Sequence, residues 1–387
     1  MVAATEVQPV TWKRMKRLAL LNPYSAGSHA LWEHGLQEHL PMAAKADGEE
    51  LEVRVWSLPG RHWKWRMHAS ALTLVDRMMQ DIGSNWVPDA FLVTDMMDVG
   101  QFRAALPARL RHIPVVVYFH ENQLTFPNHP ERPPKDWDRH YAFLNLTSAL
   151  LADAVWFNSE YHRRVFLEAI PAFLKGLPTP RPHDALEKIE TASHVVPIGI
   201  RDDVFLDGED RPRIFGEGAP VVVWNHRWEY DKGPEAFLHV LMEAKRRGAQ
   251  FRLAVMGEQF EAAPEAFARM RESFDQDIVQ WGMVESRGDY VRCLQSSDVA
   301  LVTAHHDFFG ISVLECAAAG LRMVAPDELA YPEHFGSARL HPRTGLLDAF
   351  LEALSSGPSD PVGLNVFTYR WPSVALRAWN SLNQVWN

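Results

Sequence analysis

The chain reads as two α/β domains, each a Rossmann-like doubly wound parallel sheet, facing one another across an inter-domain cleft. Three observations predict this. Short apolar or β-branched runs alternate with helical patterns through both halves, the pattern of βαβ units. A length of 387 residues exceeds one typical core and suits two of roughly 150–200 residues each. Each polar cluster with chemical capacity follows a strand, the end at which doubly wound sheets present ligands.

Taken in order, RLALLN (17–22) is the first strand. The turn PYSAGSH and a helical pattern through HALWEHGLQEHL follow it. LEVRVWSL, DAFLVTD, IPVVVYFH and ADAVWFN are further strands, the last leading into the helix SEYHRRVFLEAI. Residues 171–193 hold four prolines and read as the inter-domain connection. The strand-like HVVPIGI comes next, and the alternation restarts with PVVVWN, QFRLAVMG, DIVQWG, DVALVTA and LRMVAP. The expected division is an N-terminal domain over 1–193, a C-terminal domain over 194–370, and a helix over 371–387 packing back on the first domain.

Composition narrows the function classes. No apolar run reaches the ~20 residues that span a bilayer, and the first residues carry no signal-peptide stretch before the first strand. Two cysteines, Cys293 and Cys316, make neither a disulfide framework nor a zinc site. A cytoplasmic, membrane-free protein is expected. The net charge of −10 argues against a general nucleic-acid coat, yet Arg61, Lys64 and Arg66 stand without an acid in GRHWKWRMH (60–68).

Four motifs carry chemistry. Arg227 and Lys232, in NHRWEYDKG after the strand VVVW, pair a bidentate fork with a mobile point charge, a combination suited to a diphosphate. The plain alternative is a solvated ion pair with Glu229 or Asp231. In HHDFFGISVLE, seven residues separate Asp307 from Glu315. The amides of Phe309, Gly310 and Ile311 open the helix there and point toward an anion or a sugar hydroxyl. Asp307 could instead be an N-cap, and Glu315, on an otherwise apolar helix, wants either ribose hydroxyls or a buried arginine.

In PYSAGSH, Gly27 permits close backbone approach and the amides of Ser28 and His29 open a helix. In FHENQ, His120 ends a strand where it can meet a sugar, or serve as a structural histidine. Metal chemistry finds no support: the D-x-D strings at 136–138 and 275–277 stand at a helix start and ahead of a strand, and there is no zinc spacing. No metal or cofactor is expected.

With these residues named, the second half resembles the retaining glycosyltransferases of the two-Rossmann GT-B type. Their E-x7-E element matches Asp307 to Glu315, with Asp in the first position, and their Arg/Lys pair matches Arg227 and Lys232. More narrowly, the chain resembles the tRNA-queuosine α-mannosyltransferases. AGSH, RHWKWRMHASAL, TDMMDVGQFRA, FHENQLTFP, FNSEYHRRVFL, NHRWEYDKGPEAF and HDFFGISVLE carry the likeness.

The resemblance implies mannose transfer, with retention, from GDP-mannose to queuosine in a tRNA anticodon loop. Arg227 and Lys232 would hold the diphosphate, Glu315 the ribose, and Asp307 with the following amides the sugar. His120 and the Gly27–Ser28 turn would close the site from the first domain. Trp63, Lys64, Trp65 and Arg66 would meet tRNA, since splayed bases stack on aromatic and guanidinium planes while cations meet phosphates. Arg103, Arg109, Arg111, His112, Arg163 and Arg164 are candidates to extend that basic rim. Two rival functions remain open: transfer to a polysaccharide or glycolipid, and a non-catalytic nucleotide- or tRNA-binding protein.

Overall fold

The computed structural model describes residues 14–83, 85–127, 139–206, 211–259, 263–356 and 365–386. The first domain runs β1 (Lys16–Ser25), α1 (Gly27–Ala46), β2 (Leu51–Pro59), α2 (Trp63–Ile82), β3 (Ala90–Thr94), α3 (Val99–Ala105) and β4 (Val115–Phe119). It continues through α4 (Arg139–Leu151), β5 (Ala154–Phe157), α5 (Glu160–Lys175), α6 (Ala185–Thr191) and β6 (Ser193–Val195). Its six strands are parallel in the order β2-β1-β3-β4-β5-β6.

The second domain runs β7 (Val221–Trp224), α7 (Pro234–Arg246), β8 (Arg252–Val255), α8 (Glu265–Phe274), β9 (Ile278–Trp281), α9 (Arg287–Gln295) and β10 (Val299–Leu301). Then come α10 (Ile311–Ala318), β11 (Arg322–Val324), α11 (Tyr331–Phe335) and α12 (Leu346–Ser355), and α13 (Trp371–Trp386) ends the described chain. Five parallel strands are ordered β11-β10-β7-β8-β9.

Both sheets are buried on both faces, which is why their strands read as continuous apolar runs. Side-chain alternation divides the faces: Leu18 and Leu20 of β1 join one core, Ala19 and Leu21 the other. In the second sheet Trp224 packs with Phe237 of α7 and Phe267 of α8. The opposite face meets Leu294, Val313 and Leu314 of α9 and α10.

The last helix, α13, lies against α1 of the first domain. Gly35 makes this possible, because a Cβ there would stand 1.9 Å from a Trp371 ring carbon. Asp47 accepts a 2.9 Å bond from Trp379 Nε1, and the Lys16 ammonium sits over the Trp379 and Trp386 rings.

The division between domains lies later than expected. Residues 171–193 are not a connection: α5 runs through Pro171 to Lys175, and α6 packs its Ala185 and Ile189 into the first core. Residues 194 and 195 belong to β6, hydrogen-bonded to β5, so a boundary at 193/194 would cut a strand. Proline at positions 178, 180 and 182 punctuates a turn between two helices, a composition shared with linkers. Among the described residues no helix is long and apolar enough to cross a membrane.

Strand order reverses beside β1 in the first sheet and beside β7 in the second. Such switch points open a crevice at the carboxyl ends of the strands. The loops after β1, β3 and β4 therefore face those after β7 and β10.

Candidate active site

The loops after β7 and β10 bring Lys232 and Asp307 together. Their charged atoms stand 3.7 Å apart, and Lys232 Nζ also pairs with Asp231 at 3.2 Å and donates to the His306 carbonyl at 2.9 Å. Tyr331 Oη donates to the other Asp307 oxygen at 3.2 Å. Burial opposes the Lys232 ammonium, but Asp307 and Asp231 outweigh it and its pKa rises. Burial likewise opposes the Asp307 carboxylate, and Lys232 with His226 and His306 outweighs it, so that pKa falls. Both groups are held charged.

Gly233 follows Lys232 with φ +70, and a Cβ there would stand 2.2 Å from the Thr303 carbonyl oxygen. The β7 and β10 loops can touch only because this position lacks a side chain.

Arg227 reaches the cleft from the same loop, half exposed and paired with Glu229 at 3.0 Å. Its field extends across to the first domain: burial first, and then Arg227, push His29 down to about 3. Pairing with both Glu229 and Asp231 occurs, solvated in part at Arg227–Glu229 and buried at Lys232–Asp231.

Glu315 is buried, and each of its carboxylate oxygens accepts one bond and keeps a further lone pair. Arg287 donates to one oxygen at 2.7 Å and Tyr290 Oη to the other at 2.8 Å, while Arg287 also pairs with Asp203 at 3.0 Å. The arginine alternative is thus realised, contributed by the start of α9. Asn225 donates to Tyr290 Oη and to the Ser312 carbonyl, and Ser312 Oγ bonds His226 Nδ1 at 2.8 Å. Phe309 and Gly310 precede α10, with Gly310 its N-cap, and Ile311 contributes the first of its free N-terminal amides.

Across the cleft, His120 is buried and stacked on His29 with ring centroids 3.8 Å apart, and Trp32 meets it edge-on. Neither ring nitrogen of His120 has a hydrogen-bond partner, which leaves unmet polar capacity at the switch point. Gly27 and Ser28 open α1 beside it, with open space where a Gly27 Cβ would stand.

Direct contacts join the two walls. Tyr230 Oη donates to the Pro127 carbonyl at 2.9 Å, and Ser159 Oγ to the Phe308 carbonyl at 2.6 Å. Glu333 accepts the amides of Glu160 and Tyr161.

Trp63, Lys64, Trp65 and Arg66 form the first turn of α2 and do not form a loop. Helical spacing separates their roles. Trp63 turns inward against Tyr141, with Lys64 over both rings; Arg66 donates to the Pro59 carbonyl; Trp65 is 64% exposed. Arg103, Arg109 and Arg111 do not extend this patch. They lie at the amino ends of the strands, donating to the carbonyls of Leu151, Gly83 and Leu106 respectively. Arg163 and Arg164 stand in the first turns of α5, beside Glu160 and Glu168.

Sequence reasoning missed His226, Arg287, Tyr290 and Tyr331, and gave Asp231 only as an ion-pair partner. His226 had a signal, standing beside Arg227 just after β7; Arg287, Tyr290 and Tyr331 reach the site through folding of distant segments. Asp277 pairs with Lys245 ahead of β9, while the string at 136–138 falls outside the described residues. Among the described residues no group of three or more His, Cys, Asp or Glu could hold a metal ion.

Residues 17–200 match the family model described as tRNA-queuosine alpha-mannosyltransferase N-terminal, and residues 209–349 that of glycosyl transferases group 1. The chain is 31% identical over 330 residues to a Drosophila melanogaster tRNA-queuosine alpha-mannosyltransferase, covering 84% of this chain and 83% of that protein. It is 28% identical over 141 residues to a GDP-mannose:cellobiosyl-diphosphopolyprenol alpha-mannosyltransferase of Xanthomonas oryzae pv. oryzae, 35% of this chain and 37% of that one. In three dimensions it resembles a sucrose-phosphate synthase from Thermosynechococcus elongatus, with TM-score 0.66 and 14% identity over 96% of this chain and 99% of that one. It also resembles an Escherichia coli structure described as trehalose-6-phosphate bound with UDP-2-fluoro glucose, with TM-score 0.57 and 14% identity over 96% of each chain. The shared architecture is GT-B.

Proposed function

The chain belongs to the tRNA-queuosine alpha-mannosyltransferase family, and from that premise we propose that it transfers mannose from GDP-mannose to the cyclopentene diol of queuosine in a tRNA anticodon loop. The observation that carries this is the charged Lys232–Asp307 pair at the β7/β10 switch point, opposite the unpartnered His120 imidazole. The Drosophila relative bears the acceptor in its name and the Xanthomonas relative the donor.

In this proposal Arg227 and Lys232 take the diphosphate, whose negative charge grows as the glycosidic bond breaks. Those two cations supply the stabilisation, so no metal is invoked. Asp307, with the amides of Phe309, Gly310 and Ile311, orients the sugar, and Glu315 accepts the ribose hydroxyls. His120 bonds the sugar from the opposite wall, next to the Gly27–Ser28 turn. A diol oxygen attacks the anomeric carbon on the face that the diphosphate leaves, giving retention. Its proton passes to the departing phosphate oxygen, and the products are mannosyl-queuosine tRNA and GDP. Trp63, Lys64, Trp65 and Arg66 meet the RNA, with Trp65 the exposed stacking plane. The proposed setting is the cytoplasm.

The test is incubation with queuosine-containing tRNA and a panel of nucleotide sugars, followed by mass measurement of the modified nucleoside. A gain of one hexose from GDP-mannose alone is expected. Turnover of GDP-mannose onto a lipid acceptor and not onto tRNA, or turnover of no donor, would sink the proposal.

A further inference from the structure

The loop after β4 is built to hold one shape. Asp95 Oδ1 accepts the His120 amide at 2.9 Å, and Asn145 Oδ1 accepts the Gln123 amide at 2.8 Å. Asn122 Oδ1 accepts the amides of Leu124 at 3.0 Å and Thr125 at 2.9 Å, and the Asn122 carbonyl takes the Phe126 amide at 3.2 Å. Asn158 Nδ2 closes the set on the His120 carbonyl at 2.9 Å. Asn122 is wholly buried at the centre of these bonds. A buried, satisfied polar network of this kind specifies a single geometry.

The far end of this loop touches the opposite domain twice. The Phe126 ring packs against the His306 ring with centroids 4.9 Å apart, and the Pro127 carbonyl accepts from Tyr230 Oη. Both contacts lead to one place. Lys232 Nζ donates to the His306 carbonyl, and Tyr230 lies two residues before Lys232. Asp307 follows His306 directly.

We propose that Asn122 is a positioning residue for the transfer reaction: it folds residues 121–127 into a strap that, through Phe126 and Pro127, sets Lys232 and Asp307 against the first domain. Interfaces between domains of one chain are mobile by default, and a site shared by two domains needs a fixed link. The strap is one such link beside the Ser159–Phe308 and Glu333 contacts, and it alone is made from the strand end that carries His120. The inference rests on the proposed function only for the reaction that reads it out.

The test compares Asn122→Ala, Asn122→Asp and Phe126→Ala in the full chain, measuring kcat, KM for each substrate, GDP affinity and melting temperature. The aspartate keeps an oxygen to accept the Leu124 and Thr125 amides, so it should retain activity within about threefold of wild type. Asn122→Ala and Phe126→Ala should each lower kcat on the order of 10²-fold, the scale of an ångström-sized misplacement. GDP affinity should stay within about threefold.

Equal losses in Asn122→Ala and Asn122→Asp, or near-wild-type kcat in either alanine variant, would overturn the proposal. If Asn122→Ala does not fold, Phe126→Ala decides alone. All rates are taken on the donor–acceptor pair that the wild-type protein turns over. A wrong donor or acceptor therefore shows in the wild-type measurement, and a wrong strap only in the variants.

Discussion

Lys232 and Asp307 stand 3.7 Å apart although 75 positions separate them in the chain, and each is the main reason the other stays charged. Removing either leaves the other buried without its principal partner. Lys232→Ala should therefore do two kinds of damage. As a proposed diphosphate donor its loss should cost about 3 kcal/mol of transition-state stabilisation, roughly a 10²-fold fall in kcat/KM. It should also lower stability, since Asp307 and Asp231 lose their cation. Steady-state kinetics beside a urea melt separates the two; kcat/KM within twofold of wild type would end the diphosphate role.

Arg287 and Glu315 make a second pair, with the carboxylate buried and the guanidinium about a third exposed. Solvent screening at Arg287 reduces what the pair contributes, so Arg287→Ala should destabilise by about 1–3 kcal/mol, below the range for fully buried pairs. Without Arg287 the Glu315 carboxylate loses its orientation. GDP-mannose affinity should then fall while tRNA affinity holds. Isothermal titration with each ligand checks this, and a parallel loss of tRNA binding would place Arg287 elsewhere in the mechanism.

The two tryptophans of α2 should part company. Trp65 is exposed, so Trp65→Ala should change stability by less than ~0.5 kcal/mol, yet it removes a stacking plane worth about 1–3 kcal/mol per base. The expected outcome is a tRNA KM raised roughly tenfold with an unchanged melt. Trp63 packs on Tyr141 and joins the small cluster with Met67, Met96 and Leu144, so Trp63→Ala should lower the melting temperature as well. Loss of tRNA use from Trp63→Ala alone would mean that the segment acts only as scaffold.

How much of this was legible depended on how far each partner lies along the chain. Strands buried on both faces announce themselves as VVVW or VVVYF, and residues that directly follow a strand fall at the cleft by topology alone. Arg227, Lys232, Asp307 and His120 lie in such strand-following loops, whereas Glu315 shows as a lone acid on the apolar helix α10. Arg287 and Tyr290 show in neither way, since nothing at residues 287–290 signals that their side chains meet Glu315 across α10. The prolines between Leu177 and His183 misled because a turn between two helices and a linker share a composition. In the WKWR run the residue types alone do not say which side chains face out; the first turn of α2 does, with Trp63 in and Trp65 out.

Several histidines near the cleft are buried as neutral imidazoles. Burial pushes His29 down to about 3, and His226, His306 and His334 down to about 4. The unfolded chain, titrating near 6.5, takes up these protons first as pH falls, so stability drops below that value and keeps dropping until the folded rings titrate near 4. At pH 5 each ring contributes up to about 2 kcal/mol in this direction. Asp95 and Glu333, whose carboxyls burial raises, act in the opposite sense. The Lys232–Asp307 pair has its own window: Asp307 loses its contribution only as pH falls through its depressed value, Lys232 only as pH rises through its raised one. Between about pH 5 and 8 neither that pair nor these histidines should change charge. Imidazole NMR titration of the folded protein should find His226 and His306 neutral across that range. The kcat/KM profile should show no inflection that His226→Gln or His306→Gln removes. An imidazole titrating near 6.5 at either position would mean that the cleft is open to water and the charged pair less enclosed than its geometry indicates.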